Sequence, residues 1–366
     1  SSVCNFIQKP LASVGDCKNQ GASCNGLIFS GRRVLSDKNE FGISAVNLIN
    51  QTSLFVTCGF EGHSALMRPN HFGKIVLVGR KPGTISCELD FTREKITRHF
   101  YATKGRHFYG HGVYSLDGHV LYTTENHYDK GVGVIVARDS DTFKVLNEFP
   151  SFGVGPHDVH LVDNGKTLVV AHGGQKRHPD YHNGKKAYNL DHLEPSLNYI
   201  DISSGKLLNK VVLKNKGLSI KHLNVTPLGV VFCAQSILKG KHNNDPLVYL
   251  HKNSGEILPM SVDGDLAFKM RYHTLSVTYH NESNVVAVTS PSGNKVIFWS
   301  ALDGSLLKVI ELDHPLGVVL SADKKDFIVS QSKKGLVFID VNNYKVKENE
   351  FDDSSNFGWA SHLLSV

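Results

Sequence analysis

One pattern recurs along the chain and limits what it can become. An apolar strand runs into an Asp-Gly or Asn-Gly turn, and a second apolar strand follows. Then come a Gly-rich link, a third strand, an Asp-x-x-x-Gly-type turn and a final strand. Residues 111–149 show it most clearly, and it returns over 63–100, 157–213, 222–260, 273–312 and 315–351. Each strand is short, alternating or fully apolar, and rich in Val, Ile, Phe and Tyr, which suit a pleated, half-buried surface. One such unit cannot bury its apolar face alone, so the units must stack on one another.

The two chain ends supply a further unit. GLIFSG, ISAVNLI and SLFVTCG near the N-terminus resemble second, third and fourth strands, and ASHLLSV at the C-terminus resembles a first strand. The expectation is an all-β fold: a seven-bladed β-propeller of four-stranded antiparallel blades. A 3+1 closure has the C-terminal strand complete the N-terminal blade, which leaves no open seam. Residues 1–25 read as a polar, Cys-containing leader and 26–366 as a single propeller domain. With 366 residues, 40% of them hydrophobic, the chain has ample material for a large core. The longest departure from the pattern, 172–196, falls between the second and third strands of the fourth blade. It carries His172, His178, His182, His192, Asp180, Asp191 and Glu194. It is expected to project beside the channel or at the rim, as a functional loop or a solvated one.

Histidine is the compositional outlier, with 20 residues. His63, His111, His157, His222 and His362 stand where first strands begin, in five different blades. In a propeller those positions ring one mouth of the central channel. Neutral imidazoles converging from separate strands suit Zn, Cu, Fe or Ni. His273 and His314 lie two or three residues early in the sixth and seventh blades and can complete the ring from the loop side. The structural alternative is that these histidines cap backbone groups or bond to a neighbouring blade.

Three further sets carry possible chemistry. Arg106 and His107 form a candidate cofactor site, in which Arg106 neutralises an anionic ligand such as a carboxylate chelator; the alternative is a structural ion pair. Glu125, and Glu194 beside Pro195, can offer a hard oxygen ligand or a general base. Asp158 can orient the adjacent His157 as an outer-shell partner or face solvent.

The remaining composition mostly excludes. A net charge of +6 spread over dispersed Lys and Arg gives no basic face for nucleic acid. No apolar run reaches the roughly 18–20 residues of a membrane span. No G-x-S-x-G elbow, H-E-x-x-H helix or C-x-x-C pair occurs. The predicted channel mouth has more His than carboxylate, which disfavours a calcium-dependent lactonase. Of the six cysteines, Cys4, Cys17 and Cys24 sit in the leader, where an even total suggests an oxidising compartment and a Cys17–Cys24 disulfide. Cys58, Cys87 and Cys233 are equally well read as buried free thiols. Ser1 opens the chain with no basic or apolar signal segment after it, so the protein is either cytosolic or has lost a signal peptide.

The strings RHFYGHGVYSLDG (106–118), LYTTEN (121–126), GVGPHDV (153–159), LEPSL (193–197), LSIKHL (218–223) and VTSPSG (288–293) are specific in combination. Together, in this order, they resemble the bacterial family known as domain of unknown function 1513, over Gly62 to His362. The resemblance implies a propeller similar to WD-repeat and lactonase-type propellers, and export to the periplasm with the signal peptide removed. It also implies gene neighbours of imelysin and haem-peroxidase type connected with iron uptake. The chain departs from the family in two places. Lys221-His222-Leu223 stands for Arg-His-Leu, keeping the charge but losing a guanidinium fork. His172-Gly173-Gly174 stands for Asn-Gly-Gly, adding a possible ligand.

The leading expectation is therefore a periplasmic metal-binding propeller serving iron acquisition or handling. Its cofactor is a metal ion, iron or else copper or zinc, arriving free or as a chelate, and its partners include other periplasmic uptake proteins. The second reading is a non-catalytic interaction platform of an uptake system. The third is a metal-dependent oxidoreductase or hydrolase. Iron comes from the resemblance alone, since imidazole by itself favours Cu or Zn.

Overall fold

Seven four-stranded antiparallel sheets form the computed structural model, arranged in the order the repeats anticipate. It describes residues 26–35, 40–215, 217–237, 245–347 and 357–366; the leader and the Cys17–Cys24 pairing lie outside them. Numbering the blades from the N-terminus, blades 2 to 7 begin with the inner strands Gly62–Met67, Arg106–Tyr114, Pro156–Val162, Leu218–Thr226, Val277–His280 and Pro315–Leu320. Inner strands of neighbouring blades pack on one another around the channel.

Burial grades outward through each blade. Second strands such as Thr167–His172 and Val285–Ser290 are buried at every residue, whereas the outer strand Val145–Pro150 is mostly exposed. Fully buried side chains between blades, among them Phe298, Phe327 and Trp299, each stabilise the fold by about 1.5–3 kcal/mol. Asp90, Asp139, Asp201 and Asp340 turn the third strand into the fourth. The Oδ1 of each accepts backbone N–H groups two or three residues on, which explains the recurring Asp in the repeat.

The ring closes as anticipated. Leu27–Val34 pairs antiparallel with Phe357–Trp359 and Leu364–Ser365, with Arg32 opposite Trp359 and Phe29 opposite Leu364. The Arg32 guanidinium lies 4.2 Å from the Trp359 ring and 4.8 Å from that of Phe357. The Trp359 indole donates to the Lys334 carbonyl at 2.9 Å and so ties the closing strand to blade 7. Cys58, Cys87 and Cys233 are buried free thiols. No helix among the described residues is long and apolar enough to cross a membrane.

Candidate metal centre

Near the channel, the inner strands leave the regular ladder. The register slips between Gly62 and Ser64, Phe108 and Gly112, Pro156 and Asp158, and Ile220 and Leu223. Each slip is a β-bulge, a device that re-aims side chains. The residues pushed out of register include His63, His111, His157 and His222. His362 sits in the matching gap between the two halves of the closing strand.

These five imidazoles meet. Ligand atoms of His63, His111, His157 and His222, all buried, lie within 4.8 Å of one another. His362 joins them, its ring 4.5 Å from His222, 4.7 Å from His63 and 4.8 Å from His111. The Nε2 atoms of His157 and His222 are 3.0 Å apart, and those of His222 and His362 are 3.1 Å apart. Four nitrogens on a tetrahedral first-row metal sit roughly 3.4 Å from each other. Part of the cluster is already at that spacing, and the wider contacts close by drawing the rings inward. His63 packs against Gly110, whose positive φ of 107° and lack of a side chain are both required. A Cβ there would fall 2.5 Å from the imidazole.

The donor set is prepared for a cation. Neither ring nitrogen of His63 has a hydrogen-bond partner among the described residues, nor does Nε2 of His111 or Nδ1 of His222. Each such buried orphan costs about 1–3 kcal/mol, a cost a bound ligand would relieve. Burial, and then the neighbouring imidazoles and cations, hold the pKa of His63, His157, His222 and His362 well below the usual value. The rings are neutral, the form that ligates.

Outer-shell partners fix two of the rings. His111 Nδ1 donates to Asp158 Oδ1 at 3.1 Å, which leaves Nε2 bare. Asp158 thus orients the imidazole of the neighbouring blade rather than that of adjacent His157. It also accepts from the backbone N–H groups of Val159 and Leu223. Burial alone would raise its pKa, but His111 and His160 hold the carboxyl well below the usual range. Lys81 Nζ stands 2.9 Å from His157 Nδ1. Lys81 was not singled out from sequence. It follows the second strand of blade 2, at the same end of that blade as His63, and that position was its signal.

The other candidates stand apart from the cluster. His273 Nδ1 is bonded to Ser292 Oγ at 2.6 Å, and the His314 backbone N–H to Asn294 Oδ1 at 3.0 Å. Neither makes a ring contact with the five among the described residues. The positions equivalent to the clustered histidines in blades 6 and 7 are Leu275 and Leu316. Glu125 is fully buried against Arg138 at 2.6 Å, with Arg106 at 3.9 Å, so its carboxylate serves an ion-pair network inside blade 3. Arg106 also pairs with Glu148 at 2.8 Å. His107 donates from Nδ1 to the Phe108 carbonyl, and its Nε2 accepts from Asn126. Arg106, His107 and Glu125 are thus committed to local structure. Glu194 is exposed. Within the insertion, His172 is buried against Ser151 Oγ and His178 pairs with Asp129 at the surface. The insertion reaches back across blade 3 to blade 2, where Gly184 packs on Pro82.

Fold and site together define a seven-bladed propeller whose channel holds a cluster of imidazoles that could bind a metal ion. The model of a family described as protein of unknown function (DUF1513) matches residues 59–366, and the chain belongs to that family. No curated protein matches it. Among solved structures, hydrazine synthase from Kuenenia stuttgartiensis is similar in fold, with a TM-score of 0.62 at 14% identity. The match covers 85% of this chain and 90% of that one.

Proposed function

We propose that this protein binds one first-row transition-metal ion on the histidines of its channel and serves metal acquisition or handling in the periplasm. The observation that carries this reading is the convergence of four buried imidazoles within 4.8 Å, three of them with unpartnered nitrogens. The backbone does not need them there. The carbonyls of bulge residues His111, His362 and Leu316 are satisfied by the hydroxyls of Thr124, Ser30 and Thr289.

The donor set suits Cu, Zn, Ni or Fe(II). The family's setting beside iron-uptake genes supports iron as the cargo, and its typical export supports the periplasm. Elemental analysis of untagged protein, before and after reconstitution with Fe(II), Cu(II) and Zn(II), tests the reading. About one equivalent of metal is expected, and failure to retain any of the three would sink it. Detection of the protein in an osmotic-shock fraction tests the compartment.

A further inference from the structure

Beside the histidines stands a group of cations without counter-charges. Lys81 bonds to His157 and lies 5.5 Å from the Tyr109 ring. Lys221, itself buried, donates to Gln175 Oε1 at 2.6 Å from the bulge that carries His222. Arg177, from the insertion, donates to the carbonyls of Gly184 and Lys185, while its buried Nε has no partner. Among the described residues no carboxylate lies within ion-pair distance of any of the three. The acid in the neighbouring cavity's lining, Glu61, is paired with Arg80.

Burying a charge without a counter-charge costs several kcal/mol. A bound anion would supply the counter-charge that the protein itself does not. An open cavity of about 720 Å³ gives access, its wall made by Lys81, Arg177 and Lys185 together with Phe60 and Pro82. Cations set among apolar carbon suit a small organic anion better than a bare inorganic one. The same charges repel a free metal cation on its way to the imidazoles.

We propose that Lys81, Lys221 and Arg177 form a binding site for a small carboxylate anion beside the histidine cluster, and that the metal arrives as the chelate of that anion. The chelate role rests on the metal reading above; the anion site rests on the three cations alone.

Calorimetric titration of citrate into the full-length, metal-free protein at pH 7 and low salt tests it. Saturable binding is expected, weakened at least tenfold by Arg177→Gln and by Lys221→Met. Arg177 sits on a loop, so its variant carries the test if the buried Lys221 variant fails to fold. The proposal is overturned if citrate does not bind, if neither substitution weakens binding, or if inorganic phosphate binds and citrate does not. A parallel copper titration separates the two claims. Copper binding without citrate binding leaves the metal reading standing and removes the anion site; citrate binding without copper binding does the reverse and removes the chelate role.

Discussion

Blades 1 to 5 and blades 6 to 7 break their inner strands at the same height but put different chemistry there. In blade 7 the register slips between Pro315 and Val318, and in blade 6 Leu275 and Ser276 share Thr289. The backbone device is the same as in blades 2 to 5, yet the residues delivered are Leu275 and Leu316. A bulge at this height is therefore architecture, and an imidazole on it is an addition. Had the histidines served as backbone caps, the two leucine blades would need a substitute. Among the described residues, Leu316 has the Thr289 hydroxyl on its carbonyl, the same kind of partner that Thr124 and Ser30 give His111 and His362. The cluster is a one-sided arc: five blades deliver imidazoles at this height and two deliver leucines.

The sharpest way to break this comparison is to strip ligands from the histidine arc. His111→Ala with His157→Ala should lower metal affinity at least a hundredfold, read by elemental analysis and competition with a chelator. The melting temperature of the metal-free protein should fall by only a few degrees, because relief of orphaned nitrogens offsets lost packing. Retention of metal by the double variant would show that the cluster is not the site. Asp158→Asn comes next. It removes the carboxylate that fixes the His111 tautomer, and outer-shell losses of this kind cost about ten- to a hundredfold in affinity. An unchanged affinity would mean that His111 is oriented by packing alone.

The leucine arc should behave in the opposite way. Leu316→Ala and Leu275→Ala each remove a partly buried side chain and should cost about 1–3 kcal/mol in urea unfolding, with metal affinity unchanged. A drop in affinity would mean that the leucines hold the rings in place and that the two arcs are not independent.

The sequence carried the architecture well and the chemistry unevenly. Strand periodicity, turn residues and the orphan strand ASHLLSV were enough to place seven blades and the closure, because a period-2 pattern and a missing fourth strand are local signals. The five clustered histidines were visible for the same reason: they share one register position. His273 and His314 stood two or three residues out of that register, and hydropathy did not show whether the loop side would bring them into the ring. Arg106 was readable as an anion partner or as half of an ion pair, and Glu125 as a ligand or a base; spacing did not decide because their mutual pairing, and that with Arg138, crosses strands. Lys81 and Asp158 reach across to other blades, so no spacing within one repeat points to their partners.

A last comparison separates imidazoles in the channel from those built into the sheets. His107 and His172 are buried and hydrogen-bonded within blades 3 and 4, outside the metal cluster. Burial lowers their pKa to about 4 and about 3, against an ordinary value of 6.5. Between pH 6.5 and those values the unfolded chain takes up protons that the folded one refuses. Stability is therefore fully present above pH 6.5 and declines as the pH falls toward 4. Each group contributes about 1.4 kcal/mol per pH unit across its window. Bound metal holds the channel imidazoles deprotonated and does nothing for these two. Metal-loaded protein should thus lose urea stability between pH 6.5 and 4 through these two and the channel imidazoles alike, and His107→Gln should remove one group's share of that slope, about 1.4 kcal/mol per pH unit. An unchanged slope in His107→Gln would show that His107 does not contribute to the acid sensitivity.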